Sequence, residues 1–463
     1  MSDIIYPTLD LFIYDLRNGL GESQSEINLN RDRFQKKIPG SDRQTLFQLD
    51  DAFEAEYVEL LAAKTENFET TNTEYPFQGY YYPVRLNDTY GLLLDCSVND
   101  VTQAQPSKCF AALKAEIERR LNGQTATIGQ TWMISGWLPN SNKKSPEEIA
   151  QACYQALMPG SNWEHDLDGK GQFLGANIFE LSRYRLVMKE GFTDATNIAS
   201  LQENQHVIIV LYPDEATATN EAHRFYYDWM RLFSYRHKIL WAYGQSRLLK
   251  ETIKNYFVTV EDSGKSIGKA SYQREELSKF RKTLAVVQDT LNKYTIDLNK
   301  LDFQGRTIDI NLNNYVNRLE RIETKAKVET ELKFLSKFSK LVTEKYLQQI
   351  KKDTENLERG LRLLENTINA IRSRVEVDKA ERDRNFQNTV TIIGMGWTVG
   401  SFVASLDKLG KDPKDPVRLL LTNSQLVPKP WLDPAVPLVY TLSVAIVAAT
   451  LTWLVRRLWP RSS

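Results

Sequence analysis

The stretch Arg384–Leu406, RNFQNTVTIIGMGWTVGSFVASL, marks the point where charged sequence gives way to sequence that a lipid bilayer can accommodate. Residues 389–406 contain no charged side chain, and a second uncharged run occupies residues 438–455. A bilayer core about 30 Å thick needs about 20 mainly apolar residues in a helix. The two runs therefore predict a C-terminal two-helix transmembrane hairpin.

The first predicted span is rich in glycine and hydroxyl side chains, whereas the second consists mostly of valine, leucine, alanine and isoleucine. Small residues let membrane helices pack closely, and Gly396 with Gly400 forms a GxxxG pair. Polar residues at membrane depth also line water-filled cavities. Two interpretations therefore stay open, close helix packing and a pore lined by symmetric copies. The pore-lining candidates are Thr391, Gly394, Gly396, Thr398, Gly400, Ser401 and Ser405.

The segments around the spans indicate their orientation. Residues 407–436 contain five prolines, so this loop is not one continuous helix. Lysine and arginine are frequent before the first span and in the basic tail, residues 456–463. Because cytoplasmic flanks are enriched in these residues, we expect cytoplasmic N- and C-termini in a bacterial inner membrane.

Composition limits the partners and the compartment. The 463-residue chain contains 59 Lys plus Arg and 59 Asp plus Glu, so no charge excess favours a nucleic-acid partner. The cysteines Cys96, Cys109 and Cys153 form no CxxC motif and no even set, which is typical of a reducing compartment. The first residues lack a signal-peptide pattern. We therefore predict a cytoplasmic soluble part.

The sequence of residues 1–262 predicts one cytoplasmic N-terminal domain of the α+β or mixed α/β class. Apolar runs with β-branched and aromatic residues predict strands, and amphipathic runs predict helices. The helix at residues 145–157 begins with a serine cap followed by proline and two acids. The other predicted helix is 108–121, and the predicted strands are 10–14, 80–85, 91–96, 127–138, 173–181, 184–188 and 206–212.

Beyond residue 214 the pattern is helical. It predicts a helix to about Phe257, a glycine- and serine-containing loop at 261–271 and a helical coiled-coil stalk over 263–388, broken at 302–305. The last stalk helix begins near Glu329 and carries apolar residues in four-three alternation. This alternation is typical of the a/d seam of a coiled coil.

The seam is the predicted oligomerisation surface. Its spacing does not identify the partner, which is either another helix of the same chain or a second copy. Two membrane helices alone bury little surface and the first one is polar, so we favour a homo-oligomer. The seam residues are Leu357, Leu361, Leu364, Ile368, Ile371 and Val375.

The sequence contains no strong catalytic motif. The P-loop, G-x-S-x-G, H-E-x-x-H and dinucleotide-binding patterns are absent, and the four histidines are scattered. The acidic segment Glu164, Asp166 and Asp168 is similar to the start of a calcium-binding loop, although Gly175 stands where such a loop has glutamate. Two interpretations stay open, a divalent-cation cofactor site for Mg²⁺ or Ca²⁺ and a solvated acidic turn.

The predicted layout is a cytoplasmic α/β domain, a very long helix entering the first span, a second span and a short basic tail. At the first span the sequence reads Gly394-Met395-Gly396. This layout resembles the CorA-like magnesium and divalent-metal transporters, whose Gly-Met-Asn motif has asparagine where Gly396 stands. The resemblance implies a homopentamer with the first span around a central axis. Residues 382–397 also resemble the equivalent juncture of bacterial, especially cyanobacterial, membrane proteins.

The leading functional hypothesis is a divergent CorA-like oligomeric ion channel or transporter with a cytoplasmic regulatory domain. Its partners would be the lipid bilayer and further copies of the chain. The alternative is a membrane-anchored sensor or scaffold, or a stress or defence effector, without transport activity. The third hypothesis is an enzyme in the N-terminal domain. Ion flux through the full-length protein in liposomes separates the first hypothesis from the others.

Overall fold

The computed structural model of the chain describes residues 3–19, 21–39, 48–51, 55–70, 74–139, 144–186, 202–268, 274–326, 329–379 and 415–424, with Val436 and Val439. The chain forms two compact units. The head unit comprises Met1–Asn255 with Asp297–Glu358, and the second unit comprises Tyr256–Ile296 with Arg359–Ser463. The head therefore includes Asp297–Glu358, which the sequence interpretation assigned to the stalk.

The head unit contains the mixed sheet that the sequence predicts. Its ten described strands are β1 (Ile4–Leu16), β2 (Tyr57–Glu59), β3 (Glu66–Thr70), β4 (Phe77–Leu86), β5 (Thr89–Val98), β6 (Ala104–Gln105), β7 (Gly129–Trp137), β8 (Leu167–Phe173), β9 (Ala176–Leu186) and β10 (Gln202–Tyr212). The order is β2-β4-β5-β1-β7-β10-β9-β8, with β3 on β4 and β6 on β1. β7 and β10 are parallel, whereas β1 is antiparallel to both β5 and β7.

Helices cover both faces of this sheet. On one face lie α1 (Gln24–Gln35), α2 (Cys109–Leu121) and α3 (Pro146–Leu157), which pack on inward side chains such as Leu11 and Leu94. α3 begins as predicted, because Ser145 and Glu148 form a reciprocal capping box. The alternation of apolar residues along β1 then places its even-numbered side chains on the opposite face.

Long helices cover that opposite face. After the short α4 (Trp163–Asp166), α5 (Tyr226–Gly268) and α6 (Arg274–Ala326) follow in the sequence. Trp229 and Phe233 of α5 and Tyr315 of α6 join Phe12 of β1 in one buried cluster. α7 (Ser336–Leu341), a π-helical turn at Val342–Leu347 and α8 (Gln348–Lys379) come next, and α9 (Pro416–Ser424) lies in the proline-containing loop.

One pair of predicted strands is wrong. The structure shows a single strand, β9, where separate strands at 173–181 and 184–188 were expected, and the turn precedes it at Leu174 and Gly175. Both turn residues have positive φ, 53° and 74°. Two such residues between antiparallel strands suit the right-handed twist of a tight hairpin.

The predicted breaks in the helices are also wrong. α5 continues through the predicted loop to Gly268, and α6 is unbroken at residues 302–305. A Cβ atom at Gly305 would lie 3.3 Å from Ile350 Cγ2, so this glycine permits a close approach between helices instead of ending one. The helix predicted from Glu329 starts later, because Glu331 pairs with Gln172 beside β8 and α7 begins at Ser336.

The predicted membrane hairpin falls almost entirely outside the described residues. Residues 389–406 and all seven pore-lining candidates lie outside them, as does the second span except Val439. Among the helices that the structure describes, none combines the length and apolarity needed to cross a bilayer.

Part of the heptad seam is covered within one chain. Leu364 and Ile368 of α8 are 2% and 3% exposed. Leu357 and Leu361 are half-buried, and nothing is described for the side chains of Ile371 and Val375. The intramolecular partner, one of the two alternatives for this spacing, therefore accounts for the burial of the central seam, while the homo-oligomer stays a prediction.

Candidate functional site

The head unit contains a cavity of about 380 Å³ on the α5 side of its sheet. Strands β1, β3, β4, β5, β7 and β10 supply most of its wall, and the segment leading into α5 with the first residue of that helix supplies the rest. We call it the carboxyl pocket, after Asp95 in its wall. Its other polar lining includes Thr8, Asn67, Glu69, Gln78, Ser97 and Ser135.

Two aspartates meet at this pocket because the register of β1 and β5 places them opposite each other. Asp10 and Asp95 are direct cross-strand partners, and both lie on the face that α5 covers. Asp10 is fully buried and Asp95 is 8% exposed. Tyr226, the first residue of α5, donates its hydroxyl to Asp10 Oδ2 at 2.8 Å. Asp10 Oδ1 is buried with no hydrogen-bond partner among the described residues.

The environment of this pair favours its protonated form. Burial raises the pKa of Asp10 to about 7, against a smaller opposing effect of the Tyr226 hydroxyl. Burial and then the negative charge of Asp10 hold the pKa of Asp95 well above its usual range. In the described part of the chain no lysine or arginine forms an ion pair with either carboxyl group. Two adjacent buried carboxyl groups without a cation hold at least one proton near neutral pH.

A β-bulge in β1 positions part of the pocket wall beside Asp10 and Asp95. The register between β1 and β7 shifts between Ile5 and Thr8, and Tyr6 within this bulge has a φ of 49°. The Tyr6 ring stacks on Trp137 with ring centroids 5.6 Å apart, and its hydroxyl accepts from Gln78 Nε2 at 2.6 Å. Bulges commonly re-aim a side chain next to a functional site.

The neighbouring cross-strand pair is also polar. Thr8 and Ser97 face each other one step along the same sheet face, and their hydroxyl oxygens are 2.8 Å apart. Gly79 of β4 permits a close approach between neighbouring groups, because a Cβ atom there would overlap the main-chain oxygen of Asp95 and lie 2.5 Å from the Phe68 ring. Two neighbouring cross-strand pairs, one of hydroxyl groups and one of carboxyl groups, therefore lie beside the same cavity.

A second polar cluster of the head unit is buried except for Asn204, which is half-buried. Thr131 Oγ1 lies 2.8 Å from His206 Nδ1 and 2.7 Å from His237 Nε2. His206 Nε2 lies 3.2 Å from Glu180 Oε1, and His237 Nδ1 lies 3.1 Å from Asn204 Nδ2. Burial lowers the pKa of both histidines well below the usual value, so each ring is neutral with one donor and one acceptor.

These contacts form one directional chain of hydrogen bonds. Asn204 donates to His237, which donates to the Thr131 hydroxyl, and that hydroxyl donates to His206, which donates to Glu180. The order threonine, histidine, glutamate resembles a nucleophile with its base and orienting acid. Thr131, His206 and His237 are each no more than 1% exposed, so substrate has no access to them. The cluster joins β7, β9, β10 and α5 and is structural.

Thr131→Val is expected to lower the free energy of unfolding by about 2 kcal/mol, because the isosteric methyl group leaves two buried ring nitrogens without partners. Thr131→Ser retains the hydroxyl and is the matched control. Chemical denaturation of the full-length chain measures the difference. Equal stability of the valine and serine variants would contradict the hydrogen-bond chain.

The predicted divalent-cation segment does not form a calcium-binding loop. Glu164 and Asp166 lie in α4 and Asp168 lies in β8, with Glu164 and Asp168 exposed. The buried Asp166 carboxylate accepts from the Tyr154 hydroxyl at 2.8 Å and contacts His165 Nδ1 at 3.1 Å. Among the described residues, no group of three or more His, Cys, Asp or Glu side chains is placed to hold a metal ion. The segment lacks convergent carboxylates because a strand begins directly after Asp166 and separates their side chains.

Sequence reasoning missed the carboxyl pocket, although one signal for it was present. Asp10 interrupts the apolar run Leu9–Ile13, and Asp95 follows Leu92–Leu94. An acidic residue inside a buried strand requires a partner or a proton. No local signal in the sequence sets the register that brings these two residues together.

No protein-family model matches the chain, and searches of curated proteins and of solved structures found no match.

Proposed function

We propose that the head unit is a small-molecule sensor domain and that the carboxyl pocket is its ligand site. The observation that carries the proposal is the buried pair of Asp10 and Asp95 beside a cavity of about 380 Å³. Burying ionisable groups without an opposite charge is costly, and such groups cluster at functional sites. A cavity of this size with a few convergent polar groups suits one small ligand.

The hydrogen bond between the carboxyl pair and α5 supports a sensor function. Tyr226 is both the first residue of α5 and the hydrogen-bond donor to Asp10. A ligand that changes the charge or position of Asp10 therefore changes a contact at the start of this helix. α5 contributes residues to the head unit and, from Tyr256 on, to the second unit. In this proposal the predicted membrane spans anchor the sensor.

Two other functions are alternative hypotheses. CorA-like transport stays a prediction, since its pore-lining candidates lie outside the described residues. An enzyme in the head is the second candidate, because a carboxyl pair that shares a proton is suited to general acid–base catalysis. A sensor releases its ligand unchanged, whereas an enzyme converts it.

A fragment screen on the purified full-length chain tests the proposal. Saturation-transfer NMR is expected to find fragments that bind the wild type and lose binding in Ser135→Phe, whose ring would occupy space in the pocket. Ser25→Phe, a substitution of an exposed residue in α1, is the matched control. Mass spectrometry of the recovered fragments separates a sensor from an enzyme. The proposal is overturned if no fragment binds or if every fragment binds Ser135→Phe as well as the wild type.

A further inference from the structure

We infer that the ligand of the carboxyl pocket is an organic ammonium ion, and that its binding displaces a proton from the pair of Asp10 and Asp95. This inference rests on the proposed sensor function and names the class of ligand.

The charge of the pocket favours a cation. The charged side chains in its described lining are Asp95 and Glu69, both acidic. Asp10, the cross-strand partner of Asp95, is fully buried and lies outside this lining. An anionic ligand would meet like charge, and a neutral ligand would leave the carboxyl pair dependent on its proton. A cation is the ligand that compensates a buried carboxylate directly.

The walls favour an organic cation over a metal ion. Six aromatic residues contribute to the pocket lining, and the faces of aromatic rings attract ammonium groups within about 6 Å. The Phe68 ring is already covered by the Arg120 guanidinium, whose Cζ lies 3.4 Å from the ring centroid. Small metal ions instead need several oxygen or nitrogen ligands, and the described residues hold no cluster of three acidic, histidine or cysteine side chains placed for one. The aromatic residues are Tyr6, Phe68, Tyr80, Trp137, Tyr212 and Tyr226.

Binding of a cation changes the number of protons that Asp10 and Asp95 hold. Without ligand, the pair keeps a proton near neutral pH, for the reasons given above. When an ammonium ion enters, the O–H bond of one carboxyl group breaks, the proton passes to the buffer, and the carboxylate pairs with the cation. The other titratable and charged groups on the elements packed around the pair are Tyr6 of β1, Glu69 of β3, Tyr80 of β4, Tyr212 of β10 and Tyr226 of α5.

The tyrosines do not compete for this proton. Burial raises the pKa of Tyr80, Tyr212 and Tyr226 above the usual value for tyrosine, so all three stay neutral while the carboxyl pair titrates. Binding of the cation is therefore expected to strengthen as pH rises, by about fivefold between pH 6 and pH 7 for a carboxyl group with a pKa of about 7.

Isosteric ligand pairs test the inference without any mutation. Choline is compared with its neutral isostere 3,3-dimethyl-1-butanol, and benzylamine with benzyl alcohol. Isothermal titration calorimetry of the full-length wild type, in phosphate and in Tris at equal pH, measures affinity and counts protons released. We expect at least one ammonium ion to bind about tenfold or more tightly than its isostere and to release a proton.

Each outcome has a defined meaning. Neutral isosteres that bind as tightly as the ammonium ions overturn the inference and leave the sensor proposal standing. No binding by any of the four compounds also overturns it, and the fragment screen then decides the sensor proposal separately. Asp95→Asn is expected to remove both the preference for the cation and the proton release. Glu66→Gln, on the same edge strand as Glu69 but outside the pocket lining, is the control expected to keep both.

Discussion

Replacing Asp10 and Asp95 together by asparagine is expected to remove the contribution that this pair makes to the pH dependence of stability between about pH 4 and pH 8. Asparagine keeps the shape and polarity of each side chain and carries no titrating proton. The double variant is therefore expected to be less pH-sensitive than the wild type and more stable than it above pH 7.

The sign follows from where the pair holds its proton. Asp10 in the folded chain keeps a proton up to about pH 7, whereas in the unfolded chain it loses that proton near its ordinary value of 3.8. The folded state binds more protons in this window, so the wild-type free energy of unfolding is highest below the window and falls by about 1.4 kcal/mol per pH unit through it. For Asp10 alone the difference reaches about 4 kcal/mol above pH 7.

Urea denaturation of the full-length chain at a series of pH values measures this effect. Glu66→Gln removes an exposed carboxyl group of β3 and is expected to follow the wild type at every pH. The opposite result, a wild type whose stability rises toward pH 8 relative to the double variant, would mean that both carboxylates are ionised and compensated. In that case the pocket would not need a cationic ligand, and the charge argument would fail.

Local sequence signals predicted part of the sheet but not the pocket. The strands β4, β5 and β10 and the capped helix α3 are confirmed, because apolar runs of strand-forming residues and an N-cap serine are local properties. The Asp10–Asp95 pair depends on register between strands that are about 80 residues apart in the chain, and register is set by the whole sheet. The bulge that turns Tyr6 into the wall has no local signature in the sequence.

The helix boundaries also depend on contacts between residues that are distant in the sequence. Glycine inside a helical pattern predicts a break in the helix, yet Gly305 lies within the unbroken α6. A Cβ atom at this position would lie 3.3 Å from Ile350 Cγ2, so the glycine allows Ile350 to approach. Whether a glycine ends a helix or admits a neighbour depends on a residue far away in the sequence. The heptad spacing of α8 is likewise a local property that specifies an apolar stripe and leaves its partner open.

Replacing Leu364 and Ile368 together by aspartate is expected to destabilise the second unit by at least about 5 kcal/mol. Both side chains are almost completely buried within one chain, so the substitution would place two carboxylates in an apolar interface. The helical signal of the full-length chain should then melt in part at lower temperature. Circular dichroism measures the melting, and light scattering on the same sample measures the mass.

The control for this change lies on the same helix. Leu363 is 57% exposed, so Leu363→Asp adds a charge to α8 without placing it in the buried stripe and is expected to leave melting unchanged. If the double variant loses mass but keeps its melting temperature, the seam joins separate copies and the intramolecular interpretation is wrong.

The packing around Gly360 favours the intramolecular result. A Cβ atom at this position would lie 2.9 Å from the Tyr294 hydroxyl and 3.6 Å from the Phe257 ring, so the glycine admits both side chains of the same unit. Tyr294 is itself fully buried. A seam used only between copies would gain nothing from a glycine fitted to its own chain, and the cost of about 1 kcal/mol for glycine inside a helix is explained by this close approach.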